Sequence, residues 1–512
     1  MLAPPAQPQA ANGLALPLND DEKDCANSVN LHPKTVSSVG WQSTFVTPST
    51  PLVPGCMKLS PLDQVENRLI VPLVFVFEIS SPSLRQPFLQ ALKAGLANMI
   101  EELPFVAADV VPDCEEQDTI QLQTSEDAGV WLHSQELLEM DYYALERGKF
   151  PPSAFSLLSL MPEPRLSQPE RSPVLTMLAT FIVGGLLLTF NSHHSVMDAA
   201  GAFSVVKSLA KHVGALSDGR IISSDNAFLE EALDRSNVPA GIGRKGIPDF
   251  PNYRLCETYR YAVERELAEA AVAGVDHPKL ALLQRLRLSH WFISEKSMQA
   301  IRDEASPLSE GFPVLTDNTI MCALLWRHIS RARQLSSRGI TANSFISTVN
   351  VRRRIEPPLP LDYAGNAIVH AKTSSATADV ESGEPGMLYK LATQITNAIE
   401  WWTSERIGEL IGAIESSETV SKIEPNMDNF QGPDLEVTSV ANMDDILSVD
   451  WGCGISKVKA VRYCYLPVKD GWVNVLPQGK DGGIDLLIGL EENTLHRLRQ
   501  DKEWLQLAQE FP

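Results

Sequence analysis

Two adjacent histidines, His193 and His194, lie in the stretch NSHHSVMDAAGAF at 191–203, and Asp198 follows the second of them at the fourth position. A neutral imidazole can take a proton from an alcohol or amine as that group attacks a carbonyl. Its ordinary pKa of about 6.5 suits the task near neutral pH. The aspartate need not touch the ring. It can instead hold the loop through an arginine elsewhere in the chain. Two other readings stay open on these residues alone. A histidine and an aspartate one helical turn apart can share a cation, although no further ligand stands at metal-site spacing. A histidine pair at a corner can also be hydrogen-bonded structure and nothing more.

The flanking elements must position these groups. VLTMLATFIVGGLLLTF (174–190) carries no charge and approaches membrane-spanning length. Its Gly184-Gly185 break and the polar segment after it fit a pair of buried strands better. AGAFSVVKSLAKHV (200–213) places Phe203, Val206, Leu209, Ala210 and Val213 at helical spacing. The histidines therefore sit at a strand-to-helix junction, where rigid elements present reactive groups.

The chain has 512 residues, too many for one ordinary core, so two domains are expected. Hydrophobic residues make up 44% and charged residues 21%, a globular mix without a membrane span. The net charge of −21 repels phosphate backbones and argues against a nucleic-acid partner. An anionic co-substrate would need a local basic spot against that field. The seven cysteines are scattered with no CxxC, which suits a reducing, cytoplasmic setting and no structural metal. The N-terminus is proline-rich and lacks a basic leader, so it does not read as a secretory signal.

Residues 1–35 read as a flexible N-terminal tail, 36–217 as a first α/β domain, 218–251 as a linker and 252–512 as a second α/β domain. The linker assignment rests on its mixture of Gly, Pro, Ser and charge without sustained periodicity. Ser60-Pro61-Leu62-Asp63 reads as a turn and short helix, LIVPLVFVFEI after it as a buried strand, and 84–103 as a helix. FVAADVV (105–111) reads as the next strand. In the second half, 288–306 reads as a strand and then a helix capped near Ser294, 317–333 and 388–402 as helices, and 344–351 and 482–490 as strands. The final stretch, ENTLHRLRQDKEWLQLAQEF, reads as one helix.

HHSVMDAAG resembles the HHxxxDG signature of the acyl-CoA-dependent acyltransferases of the BAHD family. Downstream, VDWGCG (449–454) resembles that family's DFGWG signature. Between them, NVRRRIEPPLPLDYAGNAI (350–368) resembles its block of arginines, Pro-Pro-Leu-Pro and a tyrosine followed by Gly-Asn. LSPLDQ (59–64) resembles its opening block, and EVTSV (436–440) its Thr-Ser-Trp block. The blocks keep the family's order over roughly residues 59 to 490. The proportions and motif variants look more like fungal members, such as the trichothecene acetyltransferases, than plant ones.

The resemblance implies two chloramphenicol-acetyltransferase-like domains with a channel between them. Acyl-CoA, most readily acetyl-CoA, enters as co-substrate from one face, and the hydroxyl of a small, apolar specialised metabolite enters from the other. No permanent cofactor is implied, and the protein would act as a monomer. His194 is the general base in a ternary complex, and His193 is not. Asp198 belongs to the catalytic constellation but points away from the channel to pair with Arg352. Thr438 matches a hydroxyl that can hydrogen-bond the developing oxyanion. Asp450, Gly452, Gly454 and Asn366 match positions that keep the architecture, as do Tyr363 and Gly365. Arg353 and Lys457 are the foremost candidates for the CoA phosphates, with Arg354, Lys459 and Arg462 beside them.

Departures from the family pattern fall at Ala199, where glycine is usual, at Val440, where tryptophan is usual, and at Trp451 and Cys453 in the second signature. A free-standing condensation-type domain taking its acyl group from a carrier-protein thioester also uses HHxxxDG. The DWGCG and Pro-Pro-Leu-Pro blocks argue against it. A non-catalytic binding protein on the same scaffold is the third alternative, opposed by the intact His194 and Asp198.

Overall fold

A computed structural model describes residues 41–155, 158–161, 170–219, 230–257, 285–307, 315–428, 432–464, 469–477 and 482–511. The expected N-terminal tail, 1–35, lies outside the described residues. So do parts of the expected linker.

The first sheet draws on five strands of the N-terminal half. They are β1 (Gln42–Val46), β2 (Ile70–Glu78), β3 (Val130–Asp141), β4 (Leu175–Val183) and β5 (Gly185–His193). The long uncharged stretch is thus a hairpin of buried strands. Both β4 and β5 are covered on both faces, which is why they read as continuous apolar runs rather than as alternation. Helix α1 (Arg85–Glu102) and helix α2 (Ala199–Ser217) lie on this sheet. Phe88, Leu92 and Leu96 of α1 meet Phe203, Val206 and Val213 of α2 over Phe75 and Phe77 of β2. Each such side chain contributes about 1.5–3 kcal/mol by leaving water.

The second half opens with β6 (Leu286–Ile293) and continues through α3 (Asp317–Arg333), β7 (Ala342–Asn350), β8 (Ile368–Ala376), α4 (Met387–Glu400) and β9 (Leu435–Ser439). The chain then gives β10 (Ala460–Tyr463), β11 (Trp472–Val475), β12 (Ile484–Glu491) and β13 (Ala508–Phe511). The second sheet runs β8-β7-β9-β11-β12-β6-β13. Helix α3 starts where its sequence signal places it, because the Thr316 hydroxyl accepts from the Thr319 N–H at 3.2 Å.

β10 does not join that sheet. It returns to the first one, antiparallel to β2 with Val461 opposite Phe75, and completes the order β1-β3-β4-β5-β2-β10. The C-terminal half thus donates one strand to the first sheet. The expected linker is described at 218–219 and again from residue 230, and in this second part it is anchored. Arg235 is buried, lies over the rings of Phe105 and Tyr363, and donates to the Val196 carbonyl at 3.0 Å.

Two local expectations need correction. The strand expected over 105–111 begins at Asp109, because Pro104–Ala107 winds into a 3-10 turn first. The single C-terminal helix is two short ones, Glu492–Leu498 and Lys502–Leu507, followed by β13. Asp501 splits them by accepting from the N–H groups of Glu503 and Trp504, a new N-cap inside the apparent period.

Candidate active site

β5 ends at His193, and α2 begins after Asp198, so the histidine motif is the corner that the sequence predicts. The two histidines part company there. His193 is fully buried, and both ring nitrogens lack a hydrogen-bond partner among the described residues. Burial, helped by the charge of a protonated His194 and by Arg68, holds its pKa down at about 3. His194 keeps about 25% of its side chain open, and it opens into a cavity between the two halves. Its Nδ1 is buried 3.7 Å from Oε2 of Glu66, which leaves Nε2 as the nitrogen on the cavity side. Burial pushes its pKa below the ordinary imidazole value, against the opposing pull of Asp198 and Glu436. The ring is thus a neutral, accessible proton acceptor.

Asp198 borders the same cavity, but its carboxylate is committed to other partners. It is the N-cap of α2, accepting from the Gly201 N–H at 2.9 Å. Its two oxygens take two 2.8 Å bonds from Arg352, and Oδ2 also accepts from the Ala367 N–H at 3.0 Å. Arg352 is 1% exposed and donates further to the carbonyls of Tyr363 and Gly365. Burial alone would raise the Asp198 pKa. The Arg352 guanidinium and these N–H groups outweigh it and hold the carboxylate below its usual value. Gly201 is where close approach demands a glycine, since a Cβ there would meet the Ala364 carbonyl at 2.4 Å. Ala199, one position after the aspartate, needs only helical backbone.

Asn366 ties the base to the opening block. Its Nδ2 donates to the His194 carbonyl and to Oδ1 of Asp63, both at 2.9 Å, and its N–H donates to the same oxygen at 2.8 Å. Asp63 is held in turn by a capping box with Ser60 over the short helix Pro61–Gln64. Three separated sequence blocks thus converge on one loop.

Thr438 lies on β9 opposite Asn474 of β11, and both line the cavity that His194 enters. The wall also contains Glu66, His370 and Glu436, none of which stood out in the sequence. Glu66 had a weak signal, three residues beyond Asp63 in the opening block. Val440 is buried at the same cavity where the family carries a tryptophan.

The second signature lies at the far end of α2, about 28 Å along the helix from Asp198 at 1.5 Å per residue. Gly452, Cys453 and Gly454 all have positive φ, at 64°, 55° and 69°. Asp450 accepts from the Gly452 N–H at 2.9 Å, and the Cys453 N–H donates to the Ser217 hydroxyl at 2.7 Å. Trp451 is fully buried edge-on against Phe77, with ring centroids 5.4 Å apart. Burial raises the Cys453 thiol pKa, the opposite of what a nucleophile needs.

Among the basic candidates, Arg353 and Lys457 are exposed. Arg354 donates to the Trp402 carbonyl, and Lys459 sits 3.5 Å from Glu78. Arg462 is buried and holds the carbonyls of Phe150 and Lys149, so its guanidinium is committed to the fold. No group of metal-ligating side chains occurs among the described residues, and no described helix is long and apolar enough to cross a membrane.

A model of the Transferase family matches residues 40–505. The acyltransferase easC of Emericella nidulans is 27% identical over 90% of this chain and 96% of its own length. The acyltransferase cm3D of Cordyceps militaris is 28% identical over 91% of this chain and 99% of its own. The fold is also that of the Fusarium sporotrichioides protein TRI101, solved in complex with coenzyme A and T-2. That structure has a TM-score of 0.74 at 20% identity, over 90% of this chain and all of that one.

Proposed function

The chain belongs to the Transferase family, the BAHD-type acyl-CoA-dependent acyltransferases, and from that premise we propose that it moves an acetyl group from acetyl-CoA to a hydroxyl of a small specialised metabolite. One observation carries the reading: a neutral His194 opens into the cavity between the halves while Asp198 is locked away on Arg352. His194, Asp198 and Thr438 form the catalytic constellation. Arg352, Asn366, Asp450, Gly452 and Gly454 support it.

On this reading Nε2 of His194 takes the acceptor's hydroxyl proton as its oxygen attacks the thioester carbonyl. Negative charge then develops on the carbonyl oxygen. The Thr438 hydroxyl donates to it, a contact worth up to about 3 kcal/mol in a preorganised site. Collapse of the tetrahedral intermediate breaks the C–S bond, and the departing thiolate recovers the proton from His194. Holding both substrates in one cavity makes the attack effectively unimolecular and needs no acyl-enzyme. Arg353, beside Arg352 at the start of α2, and Lys457, beyond the far end of α2, are alternative basic groups for the CoA phosphates that an acidic chain requires.

The complex of TRI101 with coenzyme A and T-2 supports the pairing of a CoA donor with a small acceptor. The reading also makes the protein a cytoplasmic monomer, with the domains 36–217 and 252–512 joined through 218–251. The test is thiol release from free acetyl-CoA with a pool of hydroxylated terpenoids and polyketides. Acceptor-dependent release supports the proposal. Transfer only from a carrier-protein thioester would replace it with the condensation-type reaction.

A further inference from the structure

The cavity around His194 has two unlike walls. The first half contributes mainly apolar side chains, among them Leu69, Val71, Leu73 and Met197. The second half contributes Thr348, His370, Glu436, Thr438, Asn474 and a cation, Lys469. Such a wall fits a wholly apolar acceptor poorly.

Glu436 is the residue that most needs a partner. It is 7% exposed, and its Oε2 is buried with no hydrogen-bond partner among the described residues. It lies two positions before Thr438 on β9, so both side chains leave the same face of the strand. Asn474, directly across from Thr438, presents a second buried acceptor, Oδ1, also without a partner among the described residues. Buried acceptors are costly to leave unpaired, and a carboxylate more than most. Both fall on the cavity that a substrate must enter. A carboxylate here repels the coenzyme's phosphates, and the thioester carbonyl offers it no donor. The donors that can reach it are a hydroxyl or ammonium of the acceptor and the amide N–H groups of the coenzyme's pantetheine arm, and the acetyl-CoA KM of the Glu436 variants separates the two.

We infer that Glu436 determines acceptor specificity: its Oε2 accepts a hydrogen bond from a second hydroxyl or an ammonium group of the acceptor, so the substrate is a diol or an amino alcohol rather than a lone alcohol on an apolar frame. The inference rests on the cavity being the acyl-acceptor site and refines the acceptor's chemistry.

The test compares a diol, an amino alcohol and a mono-alcohol on one decalin frame, each with acetyl-CoA. Wild-type kcat/KM should favour the diol or the amino alcohol over the mono-alcohol by at least about tenfold, the scale of one charge-assisted hydrogen bond. Glu436→Leu should collapse that ratio toward one. Glu436→Gln keeps the shape and should lie between. It also decides the matter if the leucine variant does not fold, because an unchanged ratio in Glu436→Gln overturns the inference. Absence of any preference in the wild type, a preference that survives Glu436→Leu, or a raised KM for acetyl-CoA with the ratio unchanged would each overturn it too. Failure of the acyltransfer reading shows separately, as thiol release that is the same in His194→Ala as in the wild type.

Discussion

Arg352 meets Asp198 through two parallel 2.8 Å hydrogen bonds, and both side chains are almost wholly buried. The pair joins the start of α2 in one half to the end of β7 in the other. It fixes the corner that carries His194 without entering the cavity chemistry. Breaking it should therefore appear first in stability. Asp198→Ala or Arg352→Ala should cost about 3–5 kcal/mol by leaving the other charge buried and alone. Denaturant unfolding checks this. The sign with pH follows from the depressed Asp198 pKa: the contribution is complete above the unfolded value of about 3.9 and is lost only as pH falls below it.

His193 has the opposite electrostatic character. Its folded pKa is about 3, so it stays neutral where an unfolded histidine would be protonated. Stability should fall as pH drops from about 6.5 toward the folded value, because the unfolded chain binds the extra proton. His193→Phe, which replaces a ring lacking partners among the described residues, should flatten that acid slope and retain turnover. Melting temperatures at several pH values, with one activity assay, decide it.

Thr438 separates oxyanion stabilisation from architecture. Thr438→Val removes the hydroxyl at nearly constant shape. It should lower kcat by about 100-fold or more if the donor acts in the transition state, with KM for acetyl-CoA little changed. Thr438→Ser should recover most of the rate. Equal loss in both variants would assign the residue to packing.

Cys453 sits in a left-handed backbone conformation between two glycines that share it. Cys453→Val should destabilise by about 1–3 kcal/mol, since a β-branched residue resists positive φ. Cys453→Ala should keep turnover, because the thiol takes no part. Loss of activity in the alanine variant at unchanged stability would revive a nucleophilic cysteine.

Local physics made much of this molecule legible from its sequence. The hydroxyl of Ser294 marks where its helix starts, and the uncharged run before His193 marks buried strands. The histidine corner was equally plain, because its periodicity changes from strand to helix within a few residues. Local pattern does not reveal contacts between distant segments; the Asp198–Arg352 pair was expected through the family resemblance alone. Nothing around Ala460 says that β10 pairs with β2, and nothing around Asp63 says that its carboxylate receives Asn366. Such pairings are fixed by tertiary packing and leave no local period. Glu436 carries no local signal for the same reason: alternation places it on a strand face but not on a cavity wall.

The central claim is that His194 is the base, and its pH–rate profile with the matching variant tests it most directly. Thiol release from acetyl-CoA should depend on acceptor, and kcat/KM should hold steady on lowering pH until below about 6.5, where the burial-depressed imidazole becomes protonated. His194→Ala should lower the rate by about 100- to 10,000-fold and abolish that acid limb. Wild-type rates in His194→Ala, or an unchanged acid limb in the variant, would contradict the account.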